Sequence, residues 1–364
     1  MSTQPHDIWN APPGIWSIQT FIEKIPKVEL HLHIEGSLEP ELMFTLAERN
    51  NIKIPYSSVE DVRAAYQFTD LQSFLDVYYL GMSVLLHEQD FYDLTMAYFT
   101  KVAAENVKHV ELFFDPQGHT ARGVKFDVVI NGISKAMKMA ETTLGVTSYL
   151  IMSFLRHLSE EDAFATLAES VPHRDKIIGV GLDSSEVGNP PEKFQRVFAE
   201  AKKLGMRLVA HAGEEGPPEY IFQALDLLTV ERIDHGVRSI ENDDLIARLV
   251  ENKVCLTVCP LSNEKLKVFP QMKDHPMKRI LDRGICANIN SDDPAYFGGY
   301  MNANYLSASR ALGMTPKHLV LLTHHAIEGC FLPREGKDKL IALLTDFLTK
   351  QRLVPQSDVL EGLN

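Results

Sequence analysis

The segment Val28-Glu-Leu-His31-Leu-His33-Ile-Glu35-Gly36 carries two histidines two positions apart in an apolar run. Residues two apart in a β-strand point to the same side, so His31 and His33 can present two imidazoles to one point. An HxH pair is common, and two structural histidines in a barrel interior are the competing reading. The rest of the chain weighs against that. His211 closes the run Met-Arg-Leu-Val-Ala, His235 closes Glu-Arg-Ile-Asp, and Asp292 and Asp293 close Cys-Ala-Asn-Ile-Asn-Ser. Barrel enzymes keep their chemistry at the C-terminal ends of strands, and all these residues fall there. Three neutral imidazoles and one carboxylate suit zinc, and also iron or manganese. His31, His33, His211 and Asp292 are therefore the candidate ligands of one cation per subunit. Such a cation lowers the pKa of a bound water from 15.7 to about 7, giving hydroxide at neutral pH.

The remaining candidates divide the other roles. Glu214 follows His211 by three residues and, if buried beside the cation, would have a raised pKa and could donate a proton. Its alternative is a carboxylate capping the helix that follows Gly213-Glu-Glu-Gly-Pro-Pro. His235 is either a further ligand or the base that orients the hydroxide. We prefer the base, because four ligands are already present. Asp292 and Asp293 are adjacent and cannot easily both reach a cation, so Asp293 is the candidate acceptor for a substrate hydrogen bond. A second cation is not expected, since the fourth candidate strand, Ile-Ile-Gly-Val-Gly-Leu-Asp-Ser-Ser-Glu, has no lysine to bridge two. Asp183 within it reads as a structural hydrogen-bonding group.

The elements that must position these residues form a regular series. Short apolar runs at 28–34, 109–114, 147–153, 177–182, 207–210, 232–234, 254–258 and 285–289 are eight candidate strands. Helical patterns lie between most of them. Leu42, Leu46 and Ala47 share a face, as do Phe194, Val197, Phe198 and Ala201, and Leu245, Ile246 and Leu249. Eight alternating units predict an α/β fold, a (β/α)8 TIM barrel. No glycine-rich phosphate loop follows any strand, which argues against a nucleotide-binding open sheet. The stretch from about 50 to 90 is long enough to hold extra helices over the C-terminal face. His109, Glu111 and Asp115 share one face of the second strand and read as a polar network inside the barrel.

Composition bounds the partners. The chain has 364 residues, is 45% hydrophobic and 23% charged, and carries a formal net charge of −13. That excess of negative charge opposes nucleic-acid binding and leaves a small molecule as the expected partner. Four cysteines, Cys255, Cys259, Cys286 and Cys330, give no disulfide framework and fit a reducing, cytoplasmic setting. No leader pattern or membrane-length apolar stretch is read. Residues 1–22 read as an extension before a single domain over 23–364. Trp9, Pro12, Pro13 and Trp16 could pack on a surface or on a neighbouring subunit of a homo-oligomer, or form a loose arm.

Together the segments VELHLHIEGSLEPE, VGLDSSE, AHAGEEG, ERIDHGV, VCPLSN and NINSDDP resemble, in order, the adenosine/adenine deaminase family of metal-dependent amidohydrolases. The resemblance implies a barrel with one zinc held by His31, His33, His211 and Asp292. It implies Glu214 as proton donor to purine N1, His235 as the group positioning hydroxide, and Asp293 as a purine contact near N7. A purine substrate comes from this resemblance alone. Three positions depart from the nucleoside enzymes. Glu35 stands where an aspartate contacts ribose, Ser184-Ser185-Glu186 replaces Gly-Asp-Glu, and Asp234 replaces glycine. All three resemble the adenine deaminase branch. Glu35 and Ser184 are expected to touch the substrate and crowd out a ribose, leaving adenine as substrate and hypoxanthine and ammonia as products. Adenosine and N6-substituted adenines are the alternatives, the latter with Phe68, Leu71 and Phe74 shaping the pocket. A barrel hydrolase acting on another substrate, or a purine-binding protein without catalysis, are the rival classes.

Overall fold

The computed structural model describes residues 17–350. Eight parallel strands run in sequence order: β1 (Lys27–Glu29), β2 (Val107–Phe114), β3 (Thr147–Leu155), β4 (Gly179–Asp183), β5 (Arg207–Ala212), β6 (Arg232–His235), β7 (Cys255–Val258) and β8 (Ala287–Ile289). All eight predicted strands are present, and the barrel with added helices is the observed architecture. Trp9, Pro12, Pro13 and Trp16 lie outside the described residues.

The strands are buried on both faces, which is why they read as nearly continuous apolar runs. On β2, Val110, Leu112 and Phe114 join the large core beneath the surrounding helices, whereas Phe113 meets Ile151 and Val209 in a separate cluster inside the barrel. Below that cluster a buried ion pair fills the interior. Arg232 Nη1 donates to Glu111 Oε2 at 2.5 Å, and the Phe331 ring lies 4.7 Å from its guanidinium. His109 Nε2 stands 3.4 Å from Glu111. The expected polar network is thus there for His109 and Glu111, but Asp115 lies beyond the strand, in the mouth.

The HxH segment shows how the barrel closes. The ladder of β1 stops at Glu29, short of the predicted residue 34, yet the chain stays extended by sharing its bonds between two neighbours. His33 N donates to Asp292 O (3.0 Å) and Asp292 N to His31 O (3.1 Å), while Phe113 N donates to Leu32 O (2.7 Å). The backbones of three candidate ligands are therefore joined at the seam between β1 and β8.

The helices follow the sequence periodicity with two shifts. Helix Pro40–Arg49 buries Met43 with Leu46 and Ala47, leaving Leu42 only part-buried. Phe194 lies in a 3-10 turn (Pro191–Phe194) before the α-helix Gln195–Lys203, although its face is buried as expected. The boundary expected at residue 22 falls within helix Ile18–Lys24, whose Phe21 and Ile22 are buried, Phe21 against Phe347 at 5.3 Å. Helices Val59–Ala65 and Leu71–Met82 supply the predicted cover. The second starts from a capping box at Asp70 and lays Leu71, Phe74, Leu75, Tyr78 and Tyr79 over the mouth. Among the described residues no helix is long and apolar enough to cross a membrane.

Candidate metal centre and active site

The C-terminal ends of the strands bring His31, His33, His211, His235 and Asp292 together. The His31 ring lies 4.6 Å from those of His211 and His235 and 5.5 Å from that of His33, centre to centre. Asp292 Oδ1 is 3.2 Å from His31 Nε2 and 3.5 Å from His33 Nε2. Ligand-capable atoms of His31, His33 and His211 all lie within 4.8 Å of one another. Phe113 closes the site from below, 5.1 Å from both His31 and His33.

The buried polar atoms fit a cation. His31 Nε2 and His211 Nε2 have no hydrogen-bond partner, although leaving such a group unmade is costly. His31 Nδ1 meets Thr257 Oγ1 at 2.9 Å, and that hydroxyl donates to Asp234 Oδ1 at 2.8 Å. With its proton given to Asp234, the hydroxyl accepts from Nδ1–H, which leaves the Nε2 lone pair free for a cation. Burial, then neighbouring His31, holds His211 well below its ordinary pKa, and burial lowers His33. Burial alone would raise Asp292, but His31 and the other histidines override it and hold the carboxylate far below its usual range. Neutral imidazoles with an ionised carboxylate are the donor set of a divalent hydrolytic cation. Cys259 is also near His31 and Asp292. Burial and the surrounding carboxylates push its thiol well up, so it remains protonated.

Glu214 sits beside this group, 3.4 Å from His235 Nε2. The helix-capping alternative does not apply, because Glu186 takes the local donors. Its carboxylate accepts from the N–H groups of Gly213 (2.7 Å), Glu214 (3.1 Å), Glu215 (2.8 Å) and Gly216 (2.8 Å). This frees the Glu214 side chain and fixes its backbone. Burial, then Asp292 and Glu186, raises the Glu214 carboxyl well above its ordinary pKa, which keeps it protonated. His235 Nε2 lies between Glu214 and Asp292 Oδ2 (3.8 Å), and burial lowers its pKa to about 3. Asp293 is raised well above its ordinary value by burial and by Asp292. Gly36 makes room for it: a Cβ there would come within 1.9 Å of Asp293 Oδ1.

Backbone conformation marks the same rim. Ser184, His235 and Asp292 have φ of 73°, 63° and 63°, a left-handed conformation that is uncommon for non-glycine residues. Such strain collects at functional sites.

A cavity of about 390 Å³, including its opening to solvent, is lined by the candidates His33, Ser184, His211, Glu214, His235, Asp292 and Asp293. One expected crowding residue is not in its wall. Glu35 is fully buried behind it, where its Oε1 accepts from His119 Nε2 (2.8 Å) and Asp115 N (3.1 Å). Arg122 Nη2 donates to His119 Nδ1, which puts the His119 proton on the Glu35 side. Asp234 is spent on Thr257. Of the three branch-marking positions only Ser184 lines the cavity, and its hydroxyl lies within hydrogen-bond distance of Tyr79 (3.1 Å) and His157 (2.9 Å). Leu71 and Phe74 line the cavity as expected, while Phe68 packs one layer back, 5.4 Å from Phe74.

Several residues at the site were not singled out from sequence as functional. Asp115 and Asp183 line the cavity side by side. Burial, then Asp115, raises Asp183 far above a usual carboxylate, and burial and Glu35 raise Asp115. The end-of-strand rule could have found both. Glu186, Thr257 and Arg156 act at one remove, and nothing in their spacing gives them away. Arg156 is fully buried and donates to His211 O at 2.7 Å.

The comparisons agree with this geometry. The family model described as adenosine deaminase matches residues 26–347. An adenine deaminase of Rhodospirillum rubrum is 60% identical over 324 residues, 89% of this chain and 97% of that protein. One of Cupriavidus metallidurans is 59% identical over 326 residues, 90% and 92% of the two. Among solved structures, the adenine deaminase from Arthrobacter aurescens superposes with a TM-score of 0.88 at 47% identity, covering 89% of this chain and 99% of that one. An amidohydrolase from Burkhoderia ambifaria with bound Zn gives 0.84 at 26% identity, covering 97% of each. Matches of this extent, over a barrel rim built in this way, make the chain a member of the adenine/adenosine deaminase family of metal-dependent amidohydrolases.

Proposed function

We propose that this protein hydrolyses adenine to hypoxanthine and ammonia, with one zinc ion held by His31, His33, His211 and Asp292. The observation that carries the reading is the buried meeting of the His31, His33 and His211 rings with the Asp292 carboxylate, with Glu214 beside His235 at the same rim. The curated relatives that cover most of this chain are adenine deaminases, and a structural neighbour holds Zn. Iron or manganese would suit the same donors.

When bound, the cation supplies Lewis acidity, making a water reactive as a nucleophile near neutral pH. The chain's own residues do the rest. Glu214 donates a proton to N1, which draws electron density from C6. His235, neutral and next to Glu214, takes a proton from the attacking water. Asp293, read from the sequence as an acceptor, is instead a donor here: burial and Asp292 raise its carboxyl, and it donates to N7 and fixes the ring. As the C6–N6 bond breaks, His235 returns the water proton to the amino group, which leaves as ammonia; the C6 hydroxyl then gives its proton to Glu214, leaving the 6-oxo group and restoring both residues. The covering helix Leu71–Met82 keeps bulk water away.

The test is ammonia release from adenine, adenosine and N6-methyladenine, measured side by side with the metal-loaded protein. Adenine is expected to be the best of the three by kcat/KM. Faster turnover of adenosine would overturn the choice of substrate within the family.

A further inference from the structure

The reading above leaves one edge of the purine without a partner. With C6 at the cation, N1 at Glu214 and N7 at Asp293, the N3–N9 edge faces the remaining polar wall. That wall is Asp115, Asp183, Ser184, Tyr78 and Tyr79. A free adenine whose N7 accepts from Asp293 carries its ring proton on N9. In a nucleoside a sugar carbon occupies that place.

Three hydroxyls and two carboxyls make up this wall. The Ser184 and Tyr79 hydroxyls lie within hydrogen-bond distance of each other. Neither oxygen of Asp183 has a hydrogen-bond partner, and its Oδ2 lies 3.5 Å from His33 Nδ1, on the side of the metal centre. Asp115 has one oxygen anchored and the other free. Tyr78 donates to its Oδ2 at 3.1 Å, its own backbone N–H is anchored on Glu35 at 3.1 Å, and Oδ1 has no hydrogen-bond partner. Its carboxyl is nearly fully buried, yet lines the cavity. In the strand order, β2 lies across the mouth from β6, which carries His235.

We propose that Asp115 Oδ1 accepts the N9–H of the base, with Tyr78 and Glu35 holding the carboxyl in place, and that this contact is what selects a free base over an N9-substituted one. The inference rests on the adenine reading and deepens it. It also explains Glu35, which acts on the substrate through Asp115. A nucleoside would lose the hydrogen bond and press a carbon against a buried acceptor, and a site built around a substrate N–H rejects an analogue lacking it strongly.

The test compares adenine with 9-methyladenine, which differs only at N9, for wild type, Asp115→Ala, Asp115→Asn and Tyr78→Phe. Metal content and thermal unfolding are measured on each. Wild type is expected to favour adenine by about 100-fold or more in kcat/KM. Asp115→Ala should lose about 100-fold on adenine, largely through KM, while holding or gaining on 9-methyladenine, so that selectivity collapses. Asp115→Asn should fall between. Tyr78→Phe, which removes one hydroxyl and keeps the ring packing, should lose several-fold on adenine alone; this keeps the test open if the Asp115 variants fold poorly. Equal losses on both substrates, or unchanged selectivity, would overturn the role of Asp115 while leaving adenine as substrate. A wild-type enzyme that ignores adenine and deaminates adenosine would overturn both readings.

Discussion

Glu214→Gln is expected to lower turnover of adenine by about 10³-fold, within the range for losing a positioned general acid, while the bound metal is retained. The glutamine keeps the shape of the side chain and its place beside His235, but its amide cannot deliver a proton to N1. Because Glu186 anchors the backbone from Gly213 to Gly216, the loop should not move. The effect should fall on kcat more than on KM, since protonation matters most as C6 is attacked. The pH dependence follows from the raised pKa of Glu214. The protonated form is the active one, so kcat/KM should fall as pH rises through that pKa. The residual activity of Glu214→Gln should lack this alkaline limb. Steady-state kinetics with metal analysis check the prediction, and near-normal turnover by the variant would remove Glu214 from the mechanism.

His211→Ala is expected to do the opposite to the metal. It removes one of four donors and should leave a protein that neither retains the cation through dialysis nor deaminates adenine. The main chain should survive, because Arg156 binds the His211 carbonyl and not the ring. A ligand that binds only the folded state stabilises it by about 4 kcal/mol when present at a thousand times its Kd. The melting temperature of wild type should therefore drop on chelation, and that of His211→Ala should hardly respond to metal at all. Unchanged metal content in the variant would point to a different ligand set, with His235 as the first replacement to examine.

How much of this could be read from the sequence depends on distance from the reaction. The metal donors and Glu214 stand at strand ends in short runs, so strand periodicity and the barrel rule together locate them. The eight strands were legible for the same reason, since a doubly buried strand leaves an apolar run. What failed was the inference from residue type to contact. Glu35 is polar and stands two residues after His33, so it looked like a wall residue, and Asp234 looked like a mark of substrate choice. In the folded chain Glu35 turns to His119 and the backbone of Asp115, and Asp234 turns to Thr257. Both hold other groups in place. Asp115 was assigned to the barrel interior because it keeps the alternation of His109 and Glu111. The strand ends one residue earlier, at Phe114, and the side chain enters the mouth. Partners such as Glu186 and Gly213, or Thr257 and His31, are far apart in sequence, and only the fold brings them together.

The most direct measurement is a metal titration of the stripped protein, reading initial rates of adenine deamination at each step. One cation in a four-donor site predicts a linear rise to one zinc per chain and then a plateau, with hypoxanthine and ammonia formed in equal amounts. Activity that is independent of added metal, or that needs a second equivalent, would contradict the account.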